Sequence, residues 1–275
     1  MKKVCDVCPH HCKISEGQLG FCRARTNRDG KIVCENYGKL TSIALDPVEK
    51  KPLHRFFPGS FILSVGSYGC NLRCPFCQNS GISMTCGDQI NTERVMPKEL
   101  VNVAKSLTDK GNIGIAYTYN EPLIGYEYVM DCARLAKEEG LKNVAVTNGY
   151  ICEGPLMKLL PFIDAMNIDL KAFTEEFYKK VRGNIETVKR TIALAAKKCH
   201  VEVTTLIIPG ENDSEEEMEK LSSWLASINP EIPLHVTRFF PRWLMKSKKP
   251  TPVEKIYRLA DVARKNLRYV YEGNI

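Results

Sequence analysis

Gly69-Cys70-Asn71-Leu72-Arg73-Cys74-Pro75-Phe76-Cys77-Gln78-Asn79 is the stretch on which the fold and the chemistry of this chain turn. Three cysteines on one short loop containing Gly and Pro place three thiolates where they can share a single soft metal centre. An iron–sulfur cube held by three thiolates keeps one iron without a protein ligand. An open coordination position is what makes a metal reactive, as it does for zinc. Zinc itself would want a fourth ligand, for which Cys86 is a candidate. Scattered reduced thiols are the remaining alternative, and they need no such crowding.

Working outward, Phe61–Gly66 (FILSVG) predicts a short apolar strand leading into this loop. Strand and helix then alternate. Strands are predicted over Ile113–Thr118, Val144–Thr147, Ala165–Leu170, Val201–Ile208, Leu234–Arg238 and Arg268–Tyr271. Helices are predicted over Pro97–Lys110, Leu123–Glu139, around Leu156–Leu160, within Glu175–Lys198, and over Ser214–Ile228 and Pro252–Lys265. Gly140 is placed to cap the second of these, and Ser214 with Glu217 reads as a capping box. Such alternation implies right-handed βαβ units around a parallel sheet. Six units predict an α/β fold, a partial TIM-like (β/α)6 barrel, because a full eight-unit barrel takes about 250 residues. Ligands then belong at the C-terminal ends of the strands. The cysteine loop, Tyr119-Asn120-Glu121-Pro122, Thr147-Asn148-Gly149 and Asp169-Leu170-Lys171 all fall there.

Residues 1–59 read differently, as a small cysteine-rich N-terminal appendage with an extended lead-in through Asp46-Pro47-Val48-Glu49-Lys50-Lys51-Pro52; the barrel occupies 60–275. Cys5, Cys8, Cys12 and Cys22 supply four thiolates, enough to close a site for zinc or a second iron–sulfur cluster, with His10 and His11 as substitutes. Cys34, Cys132, Cys152 and Cys199 have no spaced partners and read as buried small hydrophobes. With 12 cysteines and no apolar stretch like that of a signal peptide after Met1, metal and thiol chemistry in the cytoplasm is expected rather than disulfides. No apolar run is long enough to span a bilayer, so no membrane partner is expected. The net charge of +7 is compatible with an acidic protein or nucleic acid. Much of it sits in clusters such as Lys246, Lys248 and Lys249, with no stacking platform beside them, so an ordinary solvated surface and no nucleic-acid partner are expected.

Several side chains carry candidate roles. Glu121, just past a strand, can accept a charge-assisted hydrogen bond from an ammonium group, or simply cap the helix after Pro122. Thr147 and Asn148, followed by glycine, let backbone approach a ribose or carboxylate, or make a plain turn. Asn167, Asp169 and Lys171 alternate onto one side of their strand, where charge needs partners; those are a ligand or each other. His235 points either into the same cavity or into a satisfied core position.

The Cys-x3-Cys-x2-Cys spacing with Phe76 before the last cysteine resembles the radical S-adenosylmethionine (SAM) superfamily. The order of features is similar to that of pyruvate formate-lyase activating enzyme. The Cys-x2-Cys-Pro-His start, the Asp46–Leu53 segment, Cys77-Gln78-Asn79 and Tyr117–Pro122 resemble more closely the AmmeMemoRadiSam-system radical SAM enzymes. Tyr-Asn-Glu-Pro stands here where a Gly-Gly-Glu-Pro-like segment is common. The resemblance implies a [4Fe–4S] cluster on Cys70, Cys74 and Cys77, and SAM bound at its open iron. It implies that Phe76, Asn79, Tyr119, Asn120, Glu121, Thr147, Asn148, Asp169, Lys171 and His235 are the cofactor-binding set. The implied reaction is reductive cleavage of SAM to a 5'-deoxyadenosyl radical, followed by hydrogen abstraction. The expected substrate is a glycine of a partner protein, as for a glycyl-radical activase, and the expected electron donor is flavodoxin or ferredoxin. The alternatives are a small-molecule or nucleic-acid substrate, or a non-catalytic iron–sulfur electron carrier.

Overall fold

The computed structural model describes residues 1–275. Its main sheet has eight strands, laid side by side in chain order. These are β1 (Ser42–Pro47), β2 (Phe61–Gly66), β3 (Asn112–Tyr117), β4 (Lys142–Thr147), β5 (Ala165–Asp169), β6 (His200–Ile207), β7 (Leu234–Arg238) and β8 (Val270–Gly273). β1 runs antiparallel to β2, and every other neighbouring pair is parallel. The crossovers carry α1 (Pro97–Ser106), α2 (Tyr126–Glu138), α3 (Glu153–Leu159), α4 (Glu175–Lys180) with α5 (Ile185–Ala195), α6 (Glu215–Ile228) and α7 (Val253–Arg264). The partial barrel of six β/α units is therefore present, closed by a last strand two residues later than predicted.

Alternation along the strands builds two cores. On β6 the β-branched Val203 and Ile207 face the helices and join Ile192, Leu221 and Leu234 in the large core cluster. Inside the barrel a smaller cluster sets Ile62, Ala116, Val144 and Ala165 of four strands against Val48, Leu53 and Phe56. Those last three come from the lead-in segment, which forms a floor across the N-terminal ends of the strands. The Lys51 amine pairs with Asp46 at 2.8 Å, Asn167 donates to the Pro52 carbonyl at 2.8 Å, and the amides of His54 and Arg55 donate to Glu202 at 3.0 and 2.7 Å. Residues 42–57 are thus built into the barrel by pairing and packing, and the stretch before Ser42 joins it through Leu40, which lies in the main core, and through the pairing of Lys39–Leu40 with Glu93–Arg94.

That stretch folds as two small antiparallel hairpins, Lys3–Val4 with Lys13–Ile14 and Arg25–Arg28 with Lys31–Cys34. It is tied to α2 by a bidentate Arg25–Glu127 pair at 2.5 and 2.7 Å. Two caps behave as the sequence suggests: Gly140 is left-handed at φ +73°, and the Ser214 hydroxyl accepts from the Glu217 amide. The Glu217 carboxylate does not complete the box; it accepts from the Phe173 amide at 2.6 Å and so braces the loop after β5. No helix is long and apolar enough to cross a membrane.

Candidate active site and metal centre

The cysteine loop leaves the end of β2 and is held by backbone bonds to two neighbouring segments and by one across its own turn. The Cys70 amide donates to the Cys22 carbonyl at 3.1 Å, the Arg73 amide to Val181 at 2.9 Å, and the Cys77 amide to Cys74 at 3.1 Å. Gly69 has φ +86°, and a Cβ there would sit 2.4 Å from the Cys22 carbonyl oxygen. Only glycine permits both the left-handed backbone and that approach. Gly69→Ala is expected to leave the far-ultraviolet circular dichroism unchanged and to cut cluster occupancy sharply, checked by iron content after anaerobic reconstitution.

Two asparagines brace the loop from neighbouring strands. Asn120 accepts from the Ser67 amide at 3.0 Å and donates to the Tyr68 and Gly69 carbonyls at 3.1 Å each. Asn148 donates to the Asn71 side chain at 2.9 Å and approaches the Cys70 sulfur at 3.7 Å, while Asn71 donates to the Tyr150 carbonyl at 2.7 Å. Asn71 lies inside the motif and was missed from sequence; its place between two cysteines was the available signal. Glu121 is buried and takes three protein donors. These are the Leu123 amide at 3.0 Å, the Thr147 hydroxyl at 2.7 Å and the Asn148 amide at 2.8 Å. Glu121 thus caps the turn after Pro122 and pins the end of β4. Burial lifts its carboxyl to about 7 despite those bonds. A carboxylate offers about four lone-pair sites, so one remains for an ammonium group.

Asp169 and Lys171 pair with each other at 2.9 Å beside the thiols. Burial opposes the Lys171 charge, but Asp169 and the neighbouring Cys74 outweigh it and hold the amine above its ordinary value. Asn79 donates to the Tyr119 carbonyl at 2.6 Å. Tyr119, at φ +69°, sends its hydroxyl to Asp46 at 2.7 Å, and the Lys51 amine lies 4.7 Å from the centre of its ring. Burial opposes the Asp46 charge, yet Lys51 and Tyr119 hold the carboxyl well below its ordinary range. Phe76 turns inward and packs 6.0 Å from Phe177 of α4.

His235 lies apart from this group. It sits one residue into β7, buried, and bonds Glu202 at 2.6 Å. Its ring stacks with Tyr271 and meets His54 edge-on. Of the two positions expected for His235, the structure shows the satisfied core position: it belongs to the barrel floor, bonded to the buried Glu202 of the neighbouring strand. Of the four cysteines expected to be buried hydrophobes, Cys132 is fully buried, whereas Cys34, Cys152 and Cys199 are only partly so.

The three thiols of the loop fit an iron–sulfur cluster. All cysteines are free, and Cys70, Cys74 and Cys77 lie within electrostatic reach of one another. Burial pushes the Cys74 thiol up to about 12 and Cys70 well above its usual value, so a metal must displace their protons. Three soft thiolate donors on one loop are the donor set of a four-iron cube with one open iron. In the N-terminal module, Cys5, Cys8 and Cys22 likewise lie within electrostatic reach of one another, Cys12 lies within reach of Cys22, and burial lifts Cys8 to about 12 and Cys22 to about 11.

The comparisons agree with this geometry. The family model of the radical SAM superfamily matches residues 64–222, more than half of the chain. An uncharacterized protein of Methanocaldococcus jannaschii is 42% identical over 275 residues, covering 98% of this chain and 81% of that protein. The pyruvate formate-lyase 1-activating enzyme of Escherichia coli is 27% identical over 57% of this chain and 65% of that enzyme. Among solved structures, a radical SAM methyltransferase from Sphaerobacter thermophilus superposes with a TM-score of 0.60 at 19% identity, over 79% of this chain and 67% of that one. That likeness concerns the fold.

Proposed function

The chain belongs to the radical SAM superfamily, and on that premise we propose that it cleaves SAM reductively and abstracts hydrogen from a substrate, with a glycine of a partner protein as the first substrate class. The family implies a [4Fe–4S] cluster and SAM, and Cys70, Cys74 and Cys77 would hold the cluster. The observation that carries the proposal is the meeting of these three thiols with Asn148, Asp169 and Lys171 at the C-terminal ends of the strands. When bound, the cluster supplies the electron that splits SAM into methionine and the 5'-deoxyadenosyl radical. The chain's own work is positional. Asn71, Asn120 and Asn148 hold the thiol loop, Glu121 fixes the end of β4 and offers its free lone pair to the SAM ammonium, and Lys171 offers charge to the SAM carboxylate. The activase-like substrate class is supported by the similarity to pyruvate formate-lyase 1-activating enzyme. Flavodoxin or ferredoxin would serve as reductant.

A second substrate class, a small polar molecule, is favoured by one feature. The barrel is closed below by the floor segment and carries Asp46, Lys51 and Tyr119 within. For the N-terminal thiols we propose a metal site, zinc or a second iron–sulfur cluster, because Cys5, Cys8 and Cys22 are buried within electrostatic reach of one another.

The test is electron paramagnetic resonance (EPR) of anaerobically reconstituted, dithionite-reduced protein. A [4Fe–4S] signal that changes shape with SAM supports the proposal. A signal indifferent to SAM points to electron transfer alone, and no cluster signal overturns it. A glycyl-radical doublet in a partner protein separates the two substrate classes. Glu121→Ala and Lys171→Ala are each expected to keep the cluster. Each should weaken SAM binding by roughly tenfold to a hundredfold, the loss of a charged hydrogen bond worth about 1.5–3 kcal/mol. Unchanged affinity in calorimetry would remove that residue from the SAM site.

A further inference from the structure

The loop between β7 and α7 rests on the outer edge of the cysteine loop. Its Leu244 amide donates to the Pro75 carbonyl at 3.0 Å, which places it one residue from Cys74. The sixteen residues from Arg238 to Val253 contain no acid. Arg242, Lys246 and Lys249 are exposed and form no ion pair, whereas Lys248 shares Glu211 with Lys180, each at 3.1 Å. On the other flank, the bond from Arg73 to Val181 brings up the end of α4, where Lys179 and Arg182 are likewise exposed and unpaired. Within this basic rim the apolar side chains of Leu244 and Phe240 are exposed, Leu244 by 68%. The expected featureless basic surface is therefore, at this place, an apolar tip ringed by free cations against the thiol loop.

We propose that this rim is the docking surface for an acidic one-electron carrier protein, which delivers its electron at the Pro75 edge of the loop. The proposal rests on the radical SAM function set out above and adds the place of entry. An apolar centre with a charged margin is the anatomy of a protein–protein interface, and complementary charge steers the encounter. Electron-transfer complexes are small and short-lived, so a few anchors and a field suffice. The balance is simple: the carrier loses one electron, the cluster gains one, and no bond or proton moves between the partners.

The test uses the full chain and its R242E/K246E/K249E variant, with an acidic [4Fe–4S] ferredoxin and a flavodoxin as probes. Binding is measured by calorimetry at low and high salt on metal-free protein. Reduction of reconstituted protein by each carrier is followed by stopped-flow absorbance, with dithionite as control. The wild type should bind at least one carrier in a salt-dependent way. The variant should lose about tenfold or more in carrier binding and reduction rate, while dithionite reduction and the SAM-dependent EPR change stay as in the wild type. Equal carrier binding and reduction in both proteins would overturn the proposal. So would a wild type that binds neither carrier, or a rim whose charge reversal abolishes binding of an RNA oligonucleotide and spares the carriers. A wild type that lacks a cluster signal with dithionite refutes the radical function instead, and binding to the metal-free chain still tests the rim.

Discussion

Cys74→Ala is expected to abolish the cluster at the barrel mouth and every SAM-dependent signal with it. Cys74 is the middle donor of the three and is buried, with Lys171 beside it. Alanine leaves two thiols where a cube with one open iron needs three, and the nearby Asp169 is already paired with Lys171. The variant should lose about four irons per chain relative to wild type. Any iron left would belong to the N-terminal thiols, whose EPR signal should ignore SAM. Cys199→Ala is the matched control, since Cys199 only reaches the Ala195 carbonyl at the end of α5; it should keep the full SAM-responsive signal. Retention of that signal in Cys74→Ala would sink the assignment of the loop.

The part of the site that could be read from sequence is the part written locally. Three cysteines within eight residues announce a metal, and the alternation of short apolar strands with helices puts the next motifs at strand ends. What escaped depends on partners distant in the chain. The segment Val48–Phe57 has no periodicity, and nothing in it names Asn167 or Glu202 as partners more than a hundred residues away. His235 was ambiguous for the same reason, because Glu202 on the neighbouring strand decides its direction. Glu121 was legible as a cap for the turn after Pro122, which it makes, but not as the acceptor for the end of β4, which supplies two of its three donors. The basic rim escaped because its halves lie some sixty residues apart, each an ordinary cluster of solvated charge alone; the cysteine loop and Glu211, which bonds Lys180 of one half and Lys248 of the other, bring them together.

Glu202→Ala is expected to cost about 3 kcal/mol or more, because it removes a buried carboxylate that four groups bond and leaves buried donors without a partner, at about 1–3 kcal/mol each. Against a total stability of about 5–15 kcal/mol, that is a large share. The carboxylate is fully buried and bonds His235 at 2.6 Å, His200 at 2.9 Å, and the amides of His54 and Arg55. It therefore joins two strands to the floor segment, and its loss frees the segment that closes the barrel from below. Urea unfolding measures the cost, and a change under about 1 kcal/mol, the size of one ordinary hydrogen bond, would show that the floor is held elsewhere. The same residue sets a pH dependence. Burial works to raise its carboxyl, but the two histidines and the Arg55 amide outweigh it and bring the group from 4.5 down to about 2. A carboxyl depressed in the fold stabilises above its unfolded value, and that contribution is lost as pH falls from 4.5 through about 2. The wild type should lose stability more steeply than Glu202→Gln across that window. Parallel pH curves for the two proteins would mean that the Glu202 carboxyl is not held below its ordinary value in the fold.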